Sequence, residues 1–152
     1  MKTEIIRLEL ADFEKCGNIW DLQKHRELAE QFRREIHDGI RLTYIYQIDG
    51  EFIGEISLVT DTEDPDYTVS GQRIYLSRLI IKEGYRRQGI GRRLTDHAIQ
   101  TAAELGYSEI SVGVDLDNYP ALKLYHEKGF DTILYIGEDE WGKYVKLMKR
   151  IF

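Results

Sequence analysis

The stretch Leu79–Leu94 reads LIIKEGYRRQGIGRRL and predicts a strand, a glycine turn (residues 82–91) and the start of a helix. Its first residues are apolar and mostly β-branched, and Gly89 and Gly91 stand where the backbone must turn without a side chain. Backbone N–H groups at a helix N-terminus attract anions. Four arginines crowd the same region: Arg86, Arg87, Arg92 and Arg93. The stretch therefore predicts a site for an anion with several charges, such as a phosphate or pyrophosphate.

The composition is that of an ordinary globular protein. Of the 152 residues, 42% are hydrophobic and 32% are charged, which suits one domain over residues 1–152. A formal net charge of −6 argues against a general binder of nucleic acid or membrane surfaces. Cys16 is the only cysteine, so no internal disulfide can form and a cytoplasmic location is expected. No signal peptide or membrane-spanning apolar run is recognisable.

The first third of the chain predicts one strand followed by two helices. Ile5–Leu10 has the alternation of a strand, and Asp12 can cap a short helix after it. Apolar residues spaced four apart predict a second helix over His25–His37, which Gly39 would end.

The middle of the chain predicts a hairpin and a further strand. Leu42–Ile48 and Phe52–Val59 alternate on either side of Asp49-Gly50, which is a strong signal for a tight hairpin turn. An acidic loop follows, and Ile74–Ile81 predicts the strand that enters the glycine turn.

The last third predicts two helices and three strands. An apolar stripe predicts a helix over about Gly89–Leu105. Asn118 is placed to cap a second helix, which Gly129 would end. The predicted strands are Glu109–Val114, Phe130–Ile136 and Lys143–Met148. One mixed α/β domain accounts for the whole chain.

Two common phosphate-binding motifs do not fit the glycine turn. A P-loop requires a Gly-Lys-Ser/Thr run, and none follows Gly84 or Gly89. A dinucleotide fingerprint requires three glycines in an early βαβ unit, whereas this turn lacks the third glycine and follows a predicted hairpin. Nucleotide hydrolysis and dinucleotide binding are therefore disfavoured.

The turn resembles the pyrophosphate-binding motif of the GNAT N-acetyltransferase superfamily. Residues Arg86–Gly91 match the pattern R/Q-x-x-G-x-G/A, although Glu83 stands where the family often has proline. The run from Asn118 to Phe130 is similar to a second motif of that family, N-x-x-A-x-x-x-Y-x-x-x-G-F. The two motifs occur in the family's order of strands and helices and together cover about Ile74–Phe130.

The resemblance implies a fold and a cofactor, acetyl-CoA. The fold would be a three-layer α/β (mixed α+β) arrangement with a mostly antiparallel mixed sheet of six to seven strands, about four helices and a splayed parallel strand pair. Backbone groups of the turn would hold the pyrophosphate, and the preceding strand would pair with the pantetheine amides. The implied cofactor-binding residues are Leu79, Ile80, Ile81, Arg86, Arg87, Gln88, Gly89, Ile90, Gly91, Arg92, Asn118 and Tyr125.

The resemblance also implies direct attack of a primary amine on the thioester, with coenzyme A as product. Tyr125 matches the family's general acid, which protonates the leaving thiolate. A phenol with a pKa near 10 and a thiolate near 8.5 differ by about 2 kcal/mol, which positioning can offset. The base is open: Glu55, Asp115 and a chain of water molecules are the candidates.

The acceptor has to be inferred from charged loops. In the family arrangement, the acidic segments Asp61–Asp66 and Glu138–Glu140 lie on the acceptor side, whereas the cofactor turn is basic. This contrast predicts a cationic acceptor, either a small polyamine-like or aminoglycoside-like compound or the amine of a peptide. Solvated loops without a role in recognition would give the same pattern. The resemblance further gives a homodimer as the expected assembly.

Two other classes of function stay open. A non-catalytic acyl-CoA-binding sensor or scaffold would be expected to lose Tyr125 or Asn118, and both are present. A nucleotide-binding regulator would use the arginine-rich turn for ATP. The four histidines lack metal-ligand spacing, so no metal is expected.

Overall fold

The computed structural model describes all of residues 1–152. The protein has seven strands and four helices, the first of which is a 3-10 helix. The helices are the 3-10 helix Leu10–Asn18, α1 (Arg26–His37), α2 (Ile90–Glu104) and α3 (Tyr119–Glu127). The strands are β1 (Thr3–Arg7), β2 (Arg41–Ile48), β3 (Glu51–Val59), β4 (Arg73–Ile81), β5 (Glu109–Asp115), β6 (Thr132–Asp139) and β7 (Gly142–Arg150). None of the helices is both long and apolar enough to cross a membrane.

The strands form one mixed sheet, in the hydrogen-bonded order β1-β2-β3-β4-β5-β7-β6. Pairing is antiparallel between β1 and β2, between β5 and β7, and between β6 and β7. Pairing between β4 and β5 is parallel. The predicted α/β class, mixed sheet and parallel strand pair are therefore confirmed.

The residues cluster into two compact units, which are described separately. The first unit contains Met1–Leu58 and Arg78–Ala98, and the second contains Val59–Ser77 and Ile99–Phe152.

A tight hairpin and an apolar core define the first unit. Asp49 and Gly50 have φ of 49° and 83°, as a two-residue turn between β2 and β3 requires. Gly54 on β3 lets α2 approach, because a Cβ there would come within 2.8 Å of Ile81 Cδ1 and 3.3 Å of Leu94 Cδ1. The core joins buried side chains of the 3-10 helix, the segment after it, α1 and the hairpin, including Phe13, Cys16, Trp20, Phe32, Ile45 and Phe52.

In the second unit, β5 is paired on both sides. It pairs with β4 over Glu109–Val112 and with β7 over its whole length. The side chain of Asn118 accepts a 3.3 Å hydrogen bond from Ala121 N, so the predicted cap of α3 is confirmed. Gly129 follows α3 with a φ of 91°, as predicted for the residue that ends the helix. These two signals fix the helix that carries Tyr125.

Three predicted features at element ends are wrong. The first strand is Thr3–Arg7 rather than Ile5–Leu10, because the 3-10 helix already begins at Leu10. Asp12 does not cap that helix, because Glu9 occupies the cap position. Asp12 lies in the first turn, where its negative charge interacts favourably with the helix dipole. The turn between the last two strands is shorter than the predicted strands allow, because β6 extends to Asp139 rather than ending at Ile136.

Candidate active site

The glycine turn connects β4 to α2 in the first unit. Tyr85 N donates a 3.1 Å hydrogen bond to Lys82 O at its start. Gly84, Arg87 and Gly89 then adopt positive φ values of 92°, 65° and 81°. Left-handed residues alternating with others make successive N–H groups converge into an anion-binding concavity, and the positive end of α2 follows directly. The turn therefore has backbone features of an anion-binding site.

The four arginines in the turn and the first turn of α2 are all exposed, but they are not equivalent. Arg86 Nε donates a 3.2 Å hydrogen bond to Ile81 O, and Arg93 donates a 2.9 Å hydrogen bond to the hydroxyl of Tyr46. Arg87 occupies a left-handed backbone position, which is uncommon for any residue with a side chain. Arg87 is thus the arginine of the turn whose position involves backbone strain.

The two glycines of the motif have different structural requirements. Gly89 has a φ of 81°, a conformation that strains any other residue. Gly91 has a negative φ, and a Cβ there would meet only Leu79 Cδ2 at 3.6 Å, an ordinary contact. The structure therefore explains why the family pattern demands glycine at the first position and accepts glycine or alanine at the second.

A left-handed residue also interrupts β4. Arg78 has a φ of 60°, which costs a non-glycine residue about 1–2 kcal/mol. The parallel ladder with β5 runs from Arg73 to Leu76 and ends there. The residues that are predicted to pair with the cofactor, Leu79–Ile81, lie beyond that ladder. Their backbone is not paired with β5, and an extended ligand can add to a strand only where no neighbouring strand occupies that edge.

Glu55, a candidate base, is enclosed in the first unit. Its side chain is 3% exposed, and Trp20 Nε1 donates a 2.6 Å hydrogen bond to its carboxylate. The Arg78 guanidinium stacks on the Trp20 ring, with Cζ 4.1 Å from the centroid. Burial raises the pKa of Glu55, and the charge of Arg78 and the Trp20 hydrogen bond oppose that increase. The carboxylate is thus already engaged by two neighbouring side chains.

Tyr125 and Asn118 lie on α3 or at its start, in the second unit. Tyr125 is 5% exposed, and its ring meets Phe130 edge-on at 5.4 Å between centroids. Burial, and to a lesser extent the neighbouring Tyr75, raises the pKa of Tyr125, so the hydroxyl keeps its proton at physiological pH. Asn118 is exposed and uses its side-chain oxygen for the helix cap, which leaves its Nδ2 group to donate to a ligand.

An open cavity of about 350 Å³ lies in the second unit and contains Asp115, the other candidate base. We call it the tyrosine cavity, because Tyr67, Tyr75 and Tyr144 line it. Tyr67 and Tyr75 stack with centroids 4.2 Å apart and an interplanar angle of 27°. Asp115 is exposed at the end of β5 and forms no ion pair, so its carboxylate is accessible from the cavity.

The acidic loop before β4 is partly neutralised. Lys146 Nζ lies 2.6 Å from Asp64 and 3.2 Å from Asp66, and these contacts tie the loop to β7. Burial alone lowers the pKa of Lys146, but the hydrogen bonds to both aspartates give a net increase, so the lysine stays charged. Two carboxylates of the predicted acceptor loop are therefore paired within the protein.

Sequence reasoning missed three residues of these surroundings: Arg78, Tyr67 and Lys146. Arg78 is an arginine in an otherwise apolar strand end, and that contrast was the available signal. Tyr67 is an aromatic residue directly after the acidic segment Asp61–Asp66, and that position could have singled it out. Lys146 lies 82 positions from its partner Asp64, and no local pattern identifies such a pair.

Comparisons with known proteins agree with the two motifs. The model of the acetyltransferase (GNAT) family matches residues 3–130. N-alpha-acetyltransferase 30 of Xenopus laevis is 30% identical over 110 residues, which cover 69% of this chain and 39% of that protein. The chain spans less than half the length of the first curated relatives that it matches.

Solved structures share the fold over nearly the whole chain. An aminoglycoside 6'-acetyltransferase type Ii has a TM-score of 0.77 at 17% identity, covering 98% of this chain and 97% of that chain. A GNAT family acetyltransferase from Elizabethkingia anophelis, with acetyl-CoA bound, has a TM-score of 0.73 at 17% identity, covering 97% of each chain. From the family match over residues 3–130, which includes both motifs, we conclude that this chain belongs to the GNAT acetyltransferase family.

Proposed function

We propose that the chain acts as a single N-acetyltransferase domain over residues 1–152 and transfers an acetyl group from acetyl-CoA to a primary amine. Acetyl-CoA supplies an activated thioester, and coenzyme A is the product. The acceptor is a small cationic amine or the amine of a peptide. The reaction is placed in the cytoplasm, where the single free thiol, Cys16, stays reduced.

The observation that carries this proposal is the backbone of the glycine turn. Its left-handed residues Arg87 and Gly89 precede the N-terminus of α2, which suits a diphosphate better than a neutral ligand. N–H groups of Arg86–Arg92 would hold the phosphates, and Arg87 would add charge. The backbone of Leu79–Ile81 and the side chain of Asn118 would hold the pantetheine arm.

Tyr125 is the proposed proton donor, and Asp115 the proposed proton acceptor. An alkyl amine must be neutral to attack, which costs about 4–5 kcal/mol at pH 7. The exposed Asp115 carboxylate, directly or through water, is better placed to take that proton than Glu55, which Trp20 and Arg78 already engage. The new C–N bond forms as the C–S bond breaks. The phenolic proton of Tyr125 goes to the sulfur, and the second proton that the nitrogen loses, transferred directly or through water, restores the phenol.

A thiol-release assay tests the proposal. Purified protein is mixed with acetyl-CoA and single members of an amine library, and free coenzyme A is followed with a thiol reagent. We expect release that depends on the amine and yields one acetylated product by mass spectrometry. Tight binding of acetyl-CoA without release for any amine would replace the proposal by the non-catalytic sensor, and absence of binding would contradict both.

A further inference from the structure

Arg78 combines two unfavourable features at one position of β4. Its backbone is left-handed, with a φ of 60°, and its buried Nε finds no hydrogen-bond partner in the protein. A strained conformation persists only where the surrounding structure determines it, and such positions cluster at functional sites. Arg78 lies between the part of β4 that pairs with β5, which ends at Leu76, and the residues Leu79–Ile81. Its strain therefore occurs where the free edge of β4 begins.

Two aromatic rings and one carboxylate hold the side chain of Arg78. Its Cζ lies 4.1 Å from the ring centroid of Trp20 and 5.4 Å from that of Phe32. Both rings belong to the apolar core of the first unit. Burial lowers the pKa of Arg78, and the negative charge of Glu55 opposes that decrease. We call Trp20, Phe32 and Glu55 the arginine clamp, because they fix the guanidinium to groups outside β4.

The residues after Arg78 keep one edge of β4 open. Ile80 packs its side chain against the core that contains Trp20 and Phe32. Lys82 N donates a 2.8 Å hydrogen bond to Ile53 O, so the end of β4 stays attached to β3. The other edge is not paired with β5 beyond Leu76. Backbone groups on that edge are therefore available to an extended ligand.

We propose that Arg78 is a positioning residue for the cofactor arm: the arginine clamp holds position 78 left-handed and thereby keeps the backbone of Leu79–Ile81 in place for the pantetheine amides. This inference rests on the proposed function. Arg78 acts through the backbone and contacts no reacting atom. A protein in which position 78 relaxes has to restore the left-handed conformation on binding, so its apparent affinity falls with the fraction of molecules that have it. The phosphates bind at the glycine turn and are unaffected.

Two ligands and a matched pair of variants test this inference. Coenzyme A carries the pantetheine arm, whereas adenosine 3′-phosphate 5′-diphosphate is the same nucleotide without it. Arg78→Ala and Arg78→Gly lose the same side chain, but only glycine adopts a φ of 60° without strain. In calorimetric titrations, we expect Arg78→Ala to bind coenzyme A about fivefold more weakly than the wild type and Arg78→Gly within about twofold. Both variants should bind the nucleotide within about twofold of the wild type.

Glu55→Gln tests the arginine clamp without a change in β4. Glutamine can still accept the hydrogen bond from Trp20 Nε1, but it no longer balances the charge of Arg78. We expect coenzyme A to bind about threefold more weakly and the nucleotide to bind as in the wild type. Glu35→Gln is the control, because Glu35 pairs with Arg41 instead and should leave both affinities within about twofold.

The outcomes separate this inference from the proposed function. Equal affinities of Arg78→Ala and Arg78→Gly for coenzyme A, or an equal loss for the nucleotide, would overturn the positioning role. If neither Arg78 variant folds, an unchanged affinity of folded Glu55→Gln for coenzyme A would overturn it as well. A wild-type protein that binds neither ligand would contradict the proposed function itself.

Discussion

The indole N–H of Trp20 donates a 2.6 Å hydrogen bond to the buried carboxylate of Glu55. The guanidinium of Arg78 lies over the Trp20 ring, with Cζ 4.1 Å from its centroid. A carboxylate, an indole and a guanidinium from three separate segments are thereby joined inside the first unit. The contact accounts for a charged residue on β3 that is only 3% exposed.

Glu55→Gln should change how stability depends on pH. Because burial raises the pKa of Glu55, the linked stabilisation is complete below the unfolded pKa of about 4.3 and is lost as pH rises through the higher native pKa. Glutamine cannot ionise and escapes that loss. We expect the stability of Glu55→Gln relative to the wild type to increase between about pH 4 and pH 7, as measured by urea unfolding. A difference that stays constant over this range would contradict the assignment.

Comparing Arg78→Gly with Arg78→Ala should separate two contributions to stability, the backbone conformation at position 78 and the side chain. Both variants lose the stacking on Trp20, but only glycine adopts the φ of 60° without strain. We expect Arg78→Gly to be more stable than Arg78→Ala by about 1 kcal/mol in urea unfolding. Equal stabilities would mean that the backbone at this position relaxes when the side chain is removed.

Gly89→Ala and Gly91→Ala form a matched pair in the glycine turn. Alanine at position 89 must adopt a φ of 81°, whereas alanine at position 91 meets only an ordinary contact. Alanine at position 89 would let the free turn relax out of the left-handed conformation, which binding must then restore. We therefore expect Gly89→Ala to weaken coenzyme A binding about tenfold, which corresponds to roughly 1.4 kcal/mol. Gly91→Ala should bind within about twofold of the wild type. Calorimetric titration measures both, and comparable losses would argue against the left-handed backbone as the determinant.

Tyr125→Phe should separate proton donation from packing. Phenylalanine keeps the ring that meets Phe130 and removes only the hydroxyl. We expect kcat to fall about 100-fold, the order of magnitude for loss of a general acid, with coenzyme A affinity retained. Tyr119→Phe is the control, because Tyr119 is 73% exposed on the same helix. An unchanged kcat in Tyr125→Phe would remove Tyr125 from the mechanism.

Local sequence signals accounted for much of the fold. Asp49-Gly50 predicted the hairpin, and Asn118 and Gly129 predicted the limits of α3, because each depends on backbone preferences of one or two residues. The cap predicted at Asp12 was wrong although aspartate is a good capping residue, because the 3-10 helix already begins at Leu10.

The site was less accessible to sequence reasoning, because its contacts join distant residues. The motifs identified the glycine turn and Tyr125. The enclosure of Glu55 depends on Trp20, which is 35 positions away. The ion pair that balances the charge of Asp64 depends on Lys146, which is 82 positions away. The charge of the acidic loop could therefore be read from the sequence, but its pairing could not.

Arg87 holds a charged side chain at a strained backbone position in the glycine turn. Its neighbours with positive φ, Gly84 and Gly89, are glycines, yet this position keeps a charged side chain at a conformational cost of about 1–2 kcal/mol. Glycine at position 87 would relieve that cost and remove the exposed guanidinium. A chain optimised for folding alone would therefore place glycine here. Under the proposed function, this arginine would trade stability of the free protein for a positive charge beside the phosphates of the cofactor.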